Sequence, residues 1–314
     1  MMEYHVDGFI LNPSSAPMEG ICADPILKKT KIMVHQTGFQ TVMRRFLKSD
    51  EGMIPEVMYW LRHNSLGDRT YNYITNQNGF TLYDLVSYDG KHNEANGENN
   101  QDGPEYNYSW NCGVEGVTRK KAVLELRQQQ IKNAFFLLLF AQGTPCILAG
   151  DEFENTQKGN NNVYCQDNPV GWLDWSKLEK KKELHDFVKK LIEIRKAYPV
   201  FWPEEEMRGI DQVSCGVPDV SYHGESAWRV PSEVSSRQLG VYYSGAAVGG
   251  DDCFVAYNMH WQEHPFALPA LSSGKKWYKI ASTSEGVLEE PELLDNQRLV
   301  EVAERTIMLV IGRK

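Results

Sequence analysis

Long apolar runs are missing from this sequence. Nowhere in its 314 residues is there a stretch of the roughly 18 to 20 apolar residues that a membrane-spanning helix requires. The longest apolar patch, 134–141, reads instead as part of a buried helix. An excess of basic charge is missing too: 33 Lys and Arg stand against 42 Asp and Glu, a net charge of −9. A binder of nucleic acid or of an anionic membrane surface needs a basic face, so neither partner is expected. The six cysteines (Cys22, Cys112, Cys146, Cys165, Cys215 and Cys253) are scattered, with no C-x-x-C pair among them. That spacing argues against zinc and dithiol redox sites, and the simplest expectation is reduced thiols in the cytoplasm with no metal and no cofactor. The first residues lack the basic and apolar regions of a secretory leader. Proline, at 14, and glycine, at 25, are ordinary in number, so neither a disordered nor a collagen-like chain is in view.

What is present is the composition of a soluble globular protein: 41% hydrophobic, 24% charged and 11% aromatic residues. Residues 4–11 read as a mostly apolar strand running into a turn at Pro13, Ser14 and Ser15, and 30–36 as a second strand. Phe39, Val42, Met43, Phe46 and Leu47 have helical spacing and predict a helix over 39–48; another is expected over 53–63. Residues 70–75 (Thr-Tyr-Asn-Tyr-Ile-Thr) suggest a third strand. Thr81 with Asp84 suggests a capped helix over 81–87. A long polar stretch, 89–116, is a functional or disordered loop by its length. The clearest helix covers 118–142, with Thr118 as its cap and Gly143 and Pro145 as its stop. A fourth, buried strand is expected over 146–150, and an amphipathic helix over 184–198, preceded by a charge run at 179–183 that reads as solvated helix surface.

Beyond about residue 205 the pattern changes to short strands at 238–243, 252–258, 276–280 and 306–311, which suggest an antiparallel β-sandwich. Strand–helix alternation gives way to β alone, so two domains are expected, 1–203 and 204–314. The first has only four visible strands, and half of an eight-stranded α/β barrel would have raw edges.

Several motifs make the chain recognisable. Val-Asp-Gly-Phe at 6–9 closes a strand. Gly-Phe-Thr-Leu-Tyr-Asp-Leu-Val-Ser-Tyr at 79–88 is followed by Lys-His-Asn-Glu-Ala-Asn-Gly-Glu-Asn-Asn at 91–100 and Ser-Trp-Asn-Cys-Gly-Val-Glu-Gly at 109–116. Then come Gly-Asp-Glu-Phe at 150–153, Gly-Asn-Asn-Asn-Val-Tyr-Cys-Gln-Asp-Asn at 159–168 and Trp-Leu-Asp-Trp at 172–175. In this order they resemble the glycogen-debranching, isoamylase and pullulanase-type glycoside hydrolases of family 13. The resemblance covers nearly the whole chain. It implies an α/β fold, the C-terminal half of a (β/α)₈ TIM barrel followed by a C-terminal antiparallel β-sandwich. It also implies a partial protein, because the family sets a β-domain and the first barrel strands ahead of the Asp-Gly-Phe strand.

Retaining hydrolysis of a glucosidic bond needs a nucleophilic carboxylate and a protonated acid about 5 Å apart. The resemblance implies where these should stand. The family's strand reads Asp-Gly-Phe-Arg-Phe-Asp; here it reads Asp7-Gly8-Phe9-Ile10-Leu11-Asn12, with Ile10 in place of the arginine and Asn12 in place of the nucleophile. His35 lies nearest the position of the acid. The His-Asp pair that carries the third carboxylate is Gln77-Asn78. A neutral carboxamide is a poor nucleophile, so no catalytic residue is expected to be active. Asn12 could instead cap a strand-to-helix turn, His35 could be a satisfied core histidine, and Asn78-Gly79 could be only a turn.

The resemblance leaves a candidate substrate-binding set of Ile10, Gln77, His92, Asn93, Trp110, Asn111, Asp151, Asn161, Asn162 and Tyr164. Planar hydrogen-bonding groups beside aromatic platforms suit sugars, and Trp110, Tyr164 and Trp172 are candidate platforms. The same amides could equally serve to hold loop backbone. Asp151 and Glu152 could be catalytic carboxylates in a new arrangement, or they could cap a loop or bind sugar hydroxyls through the Asn-rich segment. The implied partner is a branched α-glucan, glycogen or starch-like, together with a catalytic debranching homologue or the chain's own N-terminal half. An active isoamylase-type enzyme and a truncated remnant without function are the alternatives.

Overall fold

The computed structural model describes residues 8–12, 14–27, 30–64 and 69–314. Strand β1 (Gly8–Leu11) pairs in parallel with β2 (Lys31–Val34), in a register that sets Gly8 opposite Lys31 and Leu11 opposite Val34. Helix α1 (Met18–Ala23) lies between them in sequence. The first residues of the expected 4–11 strand, and Pro13 in the turn after it, lie outside the described residues. Asn12 does close a turn: its Oδ1 accepts the Ser14 N–H at 3.0 Å and its carbonyl accepts those of Ser15 and Ala16. It is not a helix cap, because α1 starts six residues later, behind Pro17.

The third and fourth expected strands differ from expectation. Residues 70–75 and 146–150 form no strands but carry single parallel bridges, Val34 to Thr70 and Asn72 to Pro145. Asn72 N–H donates to the Thr144 carbonyl and Cys146 N–H to the Asn72 carbonyl, each at 2.8 Å. The sequence order of the four segments is therefore also their spatial order. Each ladder is short, and residues 145–148 are half-buried rather than buried, since among the described residues they are bridged on one side alone.

The helices follow the apolar spacing. Helix α2 (Gly38–Leu47) buries Phe39, Val42, Met43, Phe46 and Leu47, and α3 (Ile54–Arg62) buries Ile54, Val57 and Leu61. Helix α4 (Leu82–Leu85) is shorter than expected, but Thr81 caps it by accepting the Asp84 N–H at 3.2 Å. Helix α5 (Lys121–Leu139) begins three residues beyond Thr118. The Thr118 hydroxyl accepts the Lys120 N–H at 3.1 Å, one turn upstream of the helix, so Lys120 and not Thr118 stands at the cap. The short α6 (Lys177–Lys180) precedes α7 (Lys182–Ala197), whose Leu184, Phe187, Val188 and Leu191 face inward.

The C-terminal region is all-β. Strands β3 (Val220–His223), β4 (Gln238–Tyr243), β5 (Asp252–Asn258), β7 (Lys276–Ser282), β8 (Gly286–Leu293) and β10 (Thr306–Arg313) form one antiparallel sheet in the order β3-β4-β5-β10-β7-β8. Strands β6 (His264–Ala267) and β9 (Leu299–Val302) form a second, two-stranded sheet. Side chains alternate across the large sheet with the period of two that a strand imposes. Along β10, Ile307, Leu309 and Ile311 join the core that contains α5 and α7, while Met308 and Val310 join Phe266, Val300 and Val302 of the small sheet. Both faces are covered, which is why 306–311 reads as a continuous apolar run. The larger core is one contiguous cluster reaching from Phe39 to Ile311, and it crosses the expected boundary at residue 203.

Candidate functional site

The C-terminal ends of the four parallel segments gather Asn12, His35, residues 76–78 and Asp151. Tyr71 and Tyr73 project beside His35, with ring centroids 6.2 and 5.0 Å from the imidazole. Tyr73 Oη lies 2.6 Å and Asn76 Nδ2 2.9 Å from His35 Nε2. An amide N–H can only donate, so Nε2 is the acceptor and carries no proton in this arrangement. Burial also lowers the His35 pKa. This is a neutral, acceptor-side imidazole, not a poised acid.

Ile10, Asn12, Gln77 and Asn78 are all exposed. Asn78 donates its N–H to Asn76 Oδ1 at 3.1 Å in a local turn. The positions at which the resemblance implies an arginine, a nucleophile and a third carboxylate therefore present an aliphatic chain and carboxamides to solvent.

Two acids do lie buried nearby. Asp151, 3% exposed, accepts the Leu82 N–H on Oδ1 at 2.8 Å and the Thr75 hydroxyl on Oδ2. Burial pushes its carboxyl up to about 7, with Glu152 adding to the rise. Asp84, fully buried, accepts the Thr156 hydroxyl and, at 2.7 Å, the Gln157 N–H. Its carboxyl rises to about 6, again through burial. Both acids spend their oxygens on fixing loop backbone and hydroxyl groups. Arg44 was missing from the expected set. Its buried guanidinium donates from Nε to the Ile74 carbonyl at 2.7 Å and from Nη1 to the Asn107 carbonyl at 2.9 Å. Desolvation brings its pKa down to about 10 against the opposing pull of Tyr73 and Asp151. An arginine on the apolar face of a predicted helix was the available signal.

The polar loops form a mutual network. Asp102 Oδ2 accepts from Asn96 at 2.7 Å, Asn162 at 2.9 Å and Asn93 at 3.4 Å, and these bonds, that from Asn96 foremost, hold its pKa down. Asn93 donates to Asn161 Oδ1 at 2.8 Å and accepts the Asn161 N–H at 2.9 Å. Asn93 and Asn161 are buried and committed to each other. Asn111 and His92 converge on the Glu115 carboxylate, each at 3.1 Å. Trp110 has the Arg305 guanidinium 4.5 Å above its ring, so that face is covered. Tyr164 stays exposed, and its hydroxyl donates to Glu98. Of the expected sugar contacts, Ile10, Gln77, His92 and Tyr164 face solvent, whereas Asn93, Asn161 and Asp151 hold the scaffold. Among the described residues no group of three His, Cys, Asp or Glu could hold a metal ion, and no helix is long and apolar enough to cross a membrane.

The fold matches type I pullulanase from Bacillus subtilis, solved with maltose, with a TM-score of 0.63 over 89% of this chain and 35% of that one, at 16% identity. It also matches the catalytic module of the glycogen-degrading pneumococcal virulence factor SpuA, with a TM-score of 0.62 over 90% of this chain and 44% of that one, at 15% identity. In sequence, the chain is 39% identical over 241 residues to the glycogen operon protein GlgX homolog of Mycobacterium tuberculosis, covering 69% of this chain and 32% of that protein. It is 31% identical to chloroplastic isoamylase 3 of Oryza sativa, covering 92% of this chain and 41% of that protein. No protein-family model matches the chain. The chain is a relative of the glycogen-debranching and isoamylase-type glycoside hydrolases, and it spans about a third to two fifths of the curated relatives' length.

Proposed function

We propose that this chain is a catalytically silent member of its group, a cytoplasmic protein that binds branched α-glucan on a half-barrel mouth. The observation that carries the reading is His35, a neutral imidazole whose Nε2 accepts from Asn76, set among the carboxamides Asn12, Gln77 and Asn78. No carboxylate faces that mouth from the nucleophile or third-acid position, and Asp151 is engaged in capping α4. The exposed Ile10, Gln77, Asn78 and Tyr164 remain to meet a sugar. Maltose in the pullulanase neighbour supports an α-glucan as the ligand class.

The same reading includes a protein partner, a catalytic debranching homologue or the chain's own N-terminal half. Among the described residues β1 is paired on one side only, and Phe9, Ile10 and Ile26 are exposed around it. At the opposite edge an apolar groove is lined by Leu139, Pro145, Ile147, Ile192 and Trp202. Both edges offer surface that further barrel strands would cover.

The test is paired. The purified chain is expected to be retarded in glycogen-containing native gels while releasing no reducing ends from glycogen or pullulan. A second reading, active hydrolysis, is favoured by one observation: burial brings Asp151 to about 7, the range of a general acid. Turnover that disappears in Asp151→Asn would establish that reading and overturn the silent one.

A further inference from the structure

The loop after the fourth parallel segment carries a groove whose lining shares no residue with the set Asn12, His35, 76–78 and Asp151 at the segment ends. Residues 155–177 fold around a groove lined by Asn155, Thr156, Lys158, Trp172, Asp174 and Lys177. The Trp172 indole is 53% exposed, and its Nε1–H is tied to Asp167 Oδ1 at 3.0 Å, which fixes the ring's orientation. The far wall is equally built. Lys177 is half-buried, donates to the Glu154 carbonyl at 2.9 Å, and stands 5.8 Å from the centre of the Tyr83 ring. Helix α4 supports the floor: Asp84 holds Thr156 and Gln157 from beneath, and Tyr83 beside it carries the Lys177 ammonium. Asn155 Oδ1 accepts the Asp174 N–H at 3.2 Å, and the glycine at 150 leaves the space that Asn155 and Leu173 occupy.

We propose that this groove is a second α-glucan site, distinct from the barrel mouth, in which a glucosyl unit stacks on Trp172 while Lys177, Lys158 and Asp174 meet its hydroxyls. The inference rests on the glucan-binding reading given above. A pyranose ring has one apolar C–H face and an equatorial rim of hydroxyls. An indole held flat by its own hydrogen bond suits the face, and a neighbouring ammonium and carboxylate suit the rim. The pairing of one large exposed aromatic with charges of both signs fits a neutral saccharide better than a wholly apolar ligand. Because the indole and Lys177 are already fixed, little ordering entropy opposes binding.

The experiment is titration of the full chain with maltoheptaose, followed by tryptophan fluorescence and by retardation in glycogen gels. The variants are Trp172→Ala, Trp172→Phe and, as a control at a covered aromatic, Trp110→Phe. Trp172 is exposed, so Trp172→Ala is expected to keep the wild-type melting temperature while weakening maltoheptaose binding tenfold or more. Trp172→Phe should retain part of the affinity, and Trp110→Phe nearly all of it. Wild-type affinity in Trp172→Ala overturns the second site and leaves glucan binding at the mouth standing. Absence of maltoheptaose and glycogen binding by the wild-type chain overturns both.

Discussion

The carboxylate of Asp151 accepts the backbone N–H of Leu82 at 2.8 Å across 69 residues of sequence. One acid thus joins the end of the fourth parallel segment to the start of α4, and its second oxygen takes the Thr75 hydroxyl from the third. Replacement by alanine leaves a buried N–H and a buried hydroxyl without their partner. The expected cost of Asp151→Ala is about 2 to 4 kcal/mol, read as a lower urea midpoint at unchanged m-value. Asp151→Asn keeps an acceptor for Leu82 and should lose much less.

The two buried acids give a pH signature of definite sign. Their folded-state carboxyls, about 7 for Asp151 and about 6 for Asp84, lie above the ordinary value of 3.8. Between pH 4 and 7 the folded chain therefore holds protons that the unfolded chain has released, and their contribution to stability falls as pH rises through that window. Relative to wild type, the double variant Asp84→Asn, Asp151→Asn should be most favoured at pH 8 and lose that relative advantage toward pH 4. Thermal melts of both proteins at each pH check this.

A histidine works in the opposite sense. His223 is fully buried, accepts the Trp228 N–H on Nδ1 at 2.8 Å, and is pushed down to about 4 by burial. Below its ordinary value of 6.5 the unfolded chain takes up a proton that the folded chain refuses, so this contribution is lost as pH falls from 6.5 toward 4. His223→Gln should lose less stability over that range than wild type in the same melts.

Arg44 bridges two backbone carbonyls, those of Ile74 and Asn107, from a fully buried position. Arg44→Met fills the aliphatic space but leaves both carbonyls unpaired. A loss of roughly 3 kcal/mol is expected, with the loop around Asn107 becoming more open to proteolysis. Arg44→Lys, with a single point charge in place of the fork, should recover only part of it.

Gly150 sits at φ +100°, and a Cβ there would come within 2.7 Å of Asn155 Cβ and 2.8 Å of the Leu173 side chain. Gly150→Ala combines left-handed strain with a clash. A cost of about 2 to 3 kcal/mol is expected, together with weaker glucan retardation, because the same contacts shape the Trp172 groove.

Much of this fold was legible in the residues. Helical spacing at Phe39, Val42, Met43 and Phe46 placed α2 to within a residue, and the apolar runs at 238–243, 252–258 and 306–311 became β4, β5 and β10. Propensity served less well where strands are short. Residues 70–75 look like a strand, yet they make only one bridge to each neighbour, Val34 to Thr70 and Asn72 to Pro145, and local propensity does not show how far such pairing extends. Strands β6 and β9 escaped notice because Pro265 and the charged Glu301 interrupt the pattern; the pair is held by its own ladder, by Asn258 Nδ2 donating to the Val302 carbonyl at 3.0 Å, and by packing on Phe254 and Trp277 of the large sheet. At the site, residue types showed where acids were replaced. They could not show that Asn93 and Asn161 satisfy one another, since a bond across 68 residues leaves no local trace. Nor could they show that Arg305 would roof Trp110.

The large antiparallel sheet lends one face to the helices and the other to the β6–β9 pair, so its inner residues have no solvent-facing side to fall back on. The two halves of the polypeptide are therefore expected to denature in a single transition. A fragment ending near residue 203 would leave the α5–α7 surface bare and precipitate, so engineering of this protein has to treat it as indivisible at that seam.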